Sequence, residues 1–141
     1  MKINDIQDQI VEEFSIFDDW MDRYQQLIDI GNELKPIVER KKIDQHLIKG
    51  CQSKVWVDAE LVDGKIIFAA DSDAIITKGI VALLIRVLND QSPKDIIDAD
   101  LYFIDKIGLK ENLSPTRSNG LLAMIKQMKL YALAYQSKQS E

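Results

Sequence analysis

Between Ser53 and Asp71 the hydrophobic pattern changes its period, and that change restricts the folds open to this chain. Val55, Val57, Ala59 and Leu61 alternate with Lys54, Trp56, Asp58 and Glu60. Such alternation marks a half-buried strand, because successive side chains leave a strand on opposite faces. Asp63-Gly64 follows, a pair that tolerates the positive φ angles of a type I′ turn, and Lys65 to Asp71 forms the return strand. On either side the apolar residues recur at helical steps. Ile3, Ile6, Ile10, Phe14 and Phe17 trace one helical face. A second helix starts near Asp18 or Asp19, either able to cap it, and carries Trp20, Tyr24, Leu27 and Ile28. Gly31 stands where a left-handed C-terminal cap is wanted, and Pro36 falls in the connection beyond it. The polar stretch from Glu39 to Lys49 reads as loop or short helix.

Downstream, a long helix is expected over about residues 73–89, burying Ile76, Ile80, Leu83, Leu84 and Val87. Ser92-Pro93 opens a short helix, with Ser as cap and Pro at the first helical position. Tyr102 to Ile107 fits either a third strand or a helical turn ended by Gly108. Ser114-Pro115 starts the last helix, carried by Leu121, Leu122, Ile125, Met128, Tyr131 and Tyr135, and the polar tail from Ser137 is expected to fray. The resulting class is α+β: a small antiparallel sheet of two to three strands, flanked by N- and C-terminal helices. No repeat or linker divides residues 1–141, which read as a single domain.

With 46% apolar and 29% charged residues in 141, the chain has the balance of a globular domain able to build a core without disulfides or metal. Its net charge of -5 argues against a general nucleic-acid binder and against anionic membrane surfaces. No apolar run reaches a membrane span, and MKINDIQDQI is not a signal peptide, so a cytoplasmic location is expected. The acidic excess lies in the first hundred residues, and the last forty are mildly basic.

One cysteine, Cys51, and one histidine, His46, leave no set of soft ligands for a structural metal, and no cofactor motif is present. Cys51 lies in KGCQSKVW, just before the first strand, with Gly50 beside it. A loop thiol next to glycine can be carried to a partner's buried atom, whereas most free cysteines are small buried hydrophobes; both readings stand on position alone. A thiol reacts as its thiolate, which Lys49, Lys54 or Arg117 would favour if near. His46, five residues upstream, suggests a Cys/His nucleophile, but that spacing has no geometric meaning in a loop. In DSDAIITKG, Ser72 or Asp73 serves as an ordinary cap, and Gly79 inside a helix calls for close packing against another backbone. LSPTRSNG joins a helix start to Arg117, which makes either an anion site or a cap with a surface arginine.

Taken together, GCQSKVW at 50–56, DSDAIITKG at 71–79 and LSPTRSNG at 113–120 resemble the SufE family of sulfur-acceptor proteins, and the resemblance runs over nearly the whole chain. Gln52-Ser53 sides with the SufE branch rather than its paralogous branch. The resemblance implies a fold like that of an iron–sulfur scaffold protein, and a PLP-dependent cysteine desulfurase as partner. It implies that Cys51 takes sulfur from the partner's persulfide and passes it to an iron–sulfur scaffold complex. The chain would then be a covalent partner and activator of the desulfurase, not an independent enzyme, with the PLP on the partner. Arg117 matches the family's motif arginine, and Gly50, Gln52, Ser53, Asp71, Asp73 and Lys78 are candidates for supporting the loop or site. The alternatives are a free-standing thiol enzyme using Cys51 and His46, or an adaptor whose cysteine is incidental. A homodimer is compatible with any of them.

Overall fold

The computed structural model describes residues 2–35, 37–48 and 53–139. Two helices, α1 (Ile3–Ser15) and α2 (Trp20–Glu33), precede a hairpin of β1 (Val55–Val62) and β2 (Lys65–Ser72). After the hairpin come α3 (Ile75–Leu88), α4 (Pro93–Asp98), α5 (Phe103–Lys106), α6 (Leu109–Asn112) and α7 (Pro115–Gln139). Among the described residues the sheet has two strands, antiparallel, with Val55 opposite Ser72 and Val62 opposite Lys65. Asp63 and Gly64 turn between them with φ of 52° and 79°, the two positive angles a type I′ turn requires.

The period-two face of the hairpin is the one that is buried. Val55, Val57 and Ala59 of β1 and Ile66, Phe68 and Ala70 of β2 join one core with Ile80, Val81, Leu84 and Leu88 of α3 and Met124 and Met128 of α7. Both sheet edges take contacts from outside the sheet. The Tyr131 and Tyr135 hydroxyls donate to the Val57 and Ala59 carbonyls at 2.9 and 2.8 Å, and the Ile48 amide donates to the Val55 carbonyl at 2.8 Å. On the far side the Ile66 amide donates to the Gln91 carbonyl at 2.9 Å.

The local signals place most of these elements. The Asp19 carboxylate accepts the Met21 amide at 3.0 Å, Ser92 caps α4, and the Ser114 hydroxyl accepts the Arg117 amide at 3.3 Å. Several expectations are settled or corrected. Of the two readings open for Tyr102–Ile107, the helical turn is the one found: α5 forms there, closed by Gly108 at φ 80°, a left-handed angle costly for any residue with a Cβ. Gly31 is no cap, since α2 continues to Glu33. It sits where α2 crosses α3, and a Cβ there would lie 2.8 Å from the Gly79 nitrogen. Gly79 answers it as expected of a close crossing, its own missing Cβ falling 2.3 Å from the Leu27 carbonyl oxygen. In α7, Leu122 faces solvent and Met124 takes the core position, because the buried stripe runs through Leu121, Met124, Met128 and Ala132. The last helix runs to Gln139. Residues 39–46 form two short 3-10 turns, Glu39–Lys41 and Asp44–His46, and Pro36 lies outside the described residues.

Candidate functional site

The end of the sheet where β1 begins and β2 finishes carries the candidate site. Ser53 and Lys54 lead into β1 there, and Lys54 is held at both of its backbone groups. Its amide donates to Asp73 Oδ1 at 3.0 Å, and its carbonyl accepts from the Ser72 hydroxyl at 2.9 Å and the Asp73 amide at 3.2 Å. Asp73 is thus an anchor for the chain entering β1 and not the helix cap expected. Ser72 does accept the Ala74 amide, at 3.2 Å.

Beside this anchor lies a recess of about 170 Å³, formed where α3 meets the first turns of α7. Ile80 and Met124, both buried, make its apolar part, while Ser53, Thr77 and Thr116 contribute hydroxyls. The Ser53 and Thr77 hydroxyls lie 3.4 Å apart. Arg117 stands at the exposed rim, and its guanidinium donates to the Tyr24 hydroxyl of α2. One cation, among the described residues, therefore faces an opening whose walls are part apolar and part hydroxyl-bearing. Such a place suits a small group with an apolar body and a negative end.

Asp71, two residues before the anchor, is buried and faces two lysines: Lys42 at 3.0 Å and Lys78 at 3.5 Å. Burial alone would raise this carboxyl. The hydrogen bonds from Lys42 and from the Ser72 amide, with the charges of Lys78 and Lys42, outweigh burial and hold it below its ordinary value. The same contact raises Lys42, chiefly through its hydrogen bond to Asp71 and then through Glu39.

Of the residues singled out from sequence, Ser53 and Arg117 meet at the recess, Asp71 pairs with Lys78, and Asp73 anchors Lys54. Gly50, Cys51 and Gln52, and Lys49 before them, lie outside the described residues. His46 joins neither group. Its Nε2 lies 3.3 Å from Asp58 Oδ1 and its Nδ1 2.5 Å from the Lys41 carbonyl oxygen. Sequence reasoning missed Lys42, Thr77 and Thr116, and it saw Tyr24 only as part of a helical face. Nothing in the patternless stretch around Lys42 could have marked it. Among the described residues, no three His, Cys, Asp or Glu side chains gather as metal ligands, and no helix is long and apolar enough to cross a membrane.

Residues 8–132 match the model of the SufE family, described as an Fe-S metabolism associated domain. The chain belongs to the SufE family. It is 42% identical over 132 residues to an uncharacterized SufE-like protein of Synechocystis sp., across 94% of this chain and 83% of that one. An uncharacterized SufE-like protein of Rhizobium etli is 37% identical over 127 residues, 86% of each chain. In fold the chain is similar to the solution structure of a hypothetical protein from Thermus thermophilus. The TM-score is 0.77 and the identity 22%, covering 94% of this chain and 96% of the other. The three motifs at 50–56, 71–79 and 113–120 all fall within the matched SufE span, which links the chain to iron–sulfur metabolism.

Proposed function

We propose that this SufE-family chain is a sulfur acceptor: Cys51 takes sulfane sulfur from the persulfide of a PLP-dependent cysteine desulfurase and delivers it to an iron–sulfur scaffold complex. The observation that carries the reading is the recess beside Ser53, with buried Ile80 and Met124 on one side and the Arg117 cation at the rim. Covalent geometry keeps the Cys51 Cα within about 7–8 Å of the Cα of Ser53, which lines that recess. A persulfidated side chain adds a single atom to cysteine, and the recess far exceeds the ~10–15 Å³ that one water needs.

The chemistry is a thiol exchange. The Cys51 thiolate attacks the terminal sulfur of the partner's persulfide. A new S–S bond forms to Cys51, the old one breaks, and the partner's cysteine leaves as a thiolate. The oxidation level is conserved, so no external oxidant or reductant is needed. The Arg117 guanidinium would favour the anionic sulfur before and after transfer, and the apolar part of the recess would exclude water and other thiols. A single cysteine suits this task, because a second thiol could resolve the persulfide and release sulfide. The working compartment of such a relay is the cytoplasm.

His46 speaks against a free-standing thiol enzyme, since Asp58 and the Lys41 carbonyl engage both of its ring nitrogens. Incubation with a desulfurase and cysteine should add about 32 Da, or a multiple, in a form that reductant removes, as expected of a persulfide. Cys51→Ser should fold normally, gain nothing and no longer stimulate the desulfurase. A Ser variant that still acquires reducible sulfur would refute the acceptor role, and one that still stimulates fully would make the chain an adaptor.

A further inference from the structure

The stretch 37–48 crosses the outer face of the sheet as an arm with apolar anchors at its ends. Ile37 and Ile48 are buried, whereas Val38 and Ile43 between them are exposed. The middle of the arm is held by charge. Lys42 Nζ lies 3.0 Å from Asp71 Oδ2 and 5.4 Å from the centre of the Trp56 ring. Lys41 Nζ and His46 Nε2 share the Asp58 carboxylate at 3.1 and 3.3 Å. Trp56 and Asp58 point to one face of β1, and Asp71 stands opposite Trp56 on β2, so the arm's receptors form one patch. Because Asp71 also takes Lys78, this one buried carboxylate joins the arm, β2 and α3. The arm ends by pairing with β1: Leu47 bridges Trp56, and the Ile48 amide donates to the Val55 carbonyl at 2.8 Å. The segment that carries Cys51 follows directly.

We propose that Lys42 and Asp71 are positioning residues for sulfur acceptance, their ion pair clamping the arm to the sheet and so fixing the upstream root of the Cys51 segment. The proposal rests on the reading of Cys51 as the acceptor. The downstream root is fixed separately, through Lys54 and Asp73. Attack on a sulfur–sulfur bond needs the reacting atoms aligned, and the described residues on both flanks of Cys51 are where the chain can supply that alignment. Little apolar surface holds the middle of the arm, so loss of the clamp shows as local opening before it shows as global unfolding.

The test combines hydrogen exchange at the Ile48 amide with the rate at which Cys51 takes sulfur from a persulfidated desulfurase at saturating concentration. Lys42→Ala should speed exchange at Ile48 about tenfold and slow sulfur uptake about tenfold, leaving amides at the centre of the β1–β2 pair unchanged. Asp71→Asn should produce the same two changes, and Lys42→Arg should restore both. Unchanged exchange at Ile48 in Lys42→Ala overturns the clamp. Faster exchange with unchanged uptake makes the pair structural only and overturns the positioning role. Exchange that responds while wild-type Cys51 gains no sulfur instead overturns the acceptor reading, a distinct failure.

Discussion

Gly79→Ala sets two known effects against each other at one position. Alanine in the interior of α3 is favoured over glycine by about 1 kcal/mol on helix propensity, so an exposed site would be stabilised. The added Cβ, however, would fall 2.3 Å from the Leu27 carbonyl oxygen and 2.8 Å from its carbonyl carbon. Those are backbone atoms of α2, which no rotamer change can remove, so the whole helix must retreat by roughly 1 Å, with overpacking costs of about 1–3 kcal/mol or more. The α2–α3 crossing is the most extensively packed helix pair in the molecule, which puts the cost at the upper end. The net expectation is a loss of about 2 kcal/mol, or about 1 M in the urea midpoint at an ordinary slope for a chain of this size. Equilibrium urea unfolding followed by circular dichroism reads it directly. Moving α2 also draws Tyr24 from Arg117, so sulfur uptake should slow along with the loss of stability. A Gly79→Ala protein as stable as wild type would refute the close-crossing account and return Gly79 to a neutral helix position.

Arg117→Ala should slow sulfur uptake while shifting the thermal midpoint by no more than a few degrees, because the side chain is exposed; unchanged uptake would leave Arg117 a surface residue. Asp71 is held below its ordinary value, so its contribution to stability is present above the unfolded carboxyl value, near pH 4, and is lost as pH falls through the lower folded value. The extra protection of the Ile48 amide in wild type over Asp71→Asn should therefore be present at neutral pH and shrink as pH falls into the acid range; a gap independent of pH would deny the ion pair. Tyr102 donates to Asp8 at 2.6 Å, and chiefly through that bond its hydroxyl is pushed up to about 12. The stabilisation it brings is present below the ordinary phenol value near pH 10 and is lost as pH rises through about 12, so an ultraviolet titration step there should vanish in Tyr102→Phe.

Much of the fold could be read locally because each signal carries its own physical cause. Asp63-Gly64, Ser92-Pro93 and Ser114-Pro115 mark turns and caps that need only their neighbours, and the alternation from Val55 to Leu61 needs only a buried face. Gly31 shows where that reading stops. A glycine near a helix end satisfies the rule for a left-handed cap, yet here it permits a helix crossing whose other half, Gly79, is far along the chain. Tyr102–Ile107 stayed open between strand and helical turn for a related reason. Its apolar residues fit both periods over so short a run, and the buried Gln7 of α1, accepting the Phe103 amide at 3.2 Å, helps to fix the helical turn.

The candidate site divides along the same line. Ser53, Asp71, Asp73, Lys78 and Arg117 lie in motifs legible in the chain, while the recess that Ser53 and Arg117 border takes its apolar part from Ile80 and Met124, residues with no mark beyond core periodicity. Lys42 was invisible for a stronger reason. Periodicity detects burial, and the middle of the arm is held by charges paired across the sheet face instead. Such pairing imposes no repeat on the sequence, because one lysine needs only one carboxylate, placed by the register of two strands it does not belong to. A polar, patternless stretch leading into a reactive segment is therefore where electrostatic anchoring should be sought first. The useful guide there is the set of carboxylates on the facing sheet, Asp58 and Asp71 in this chain.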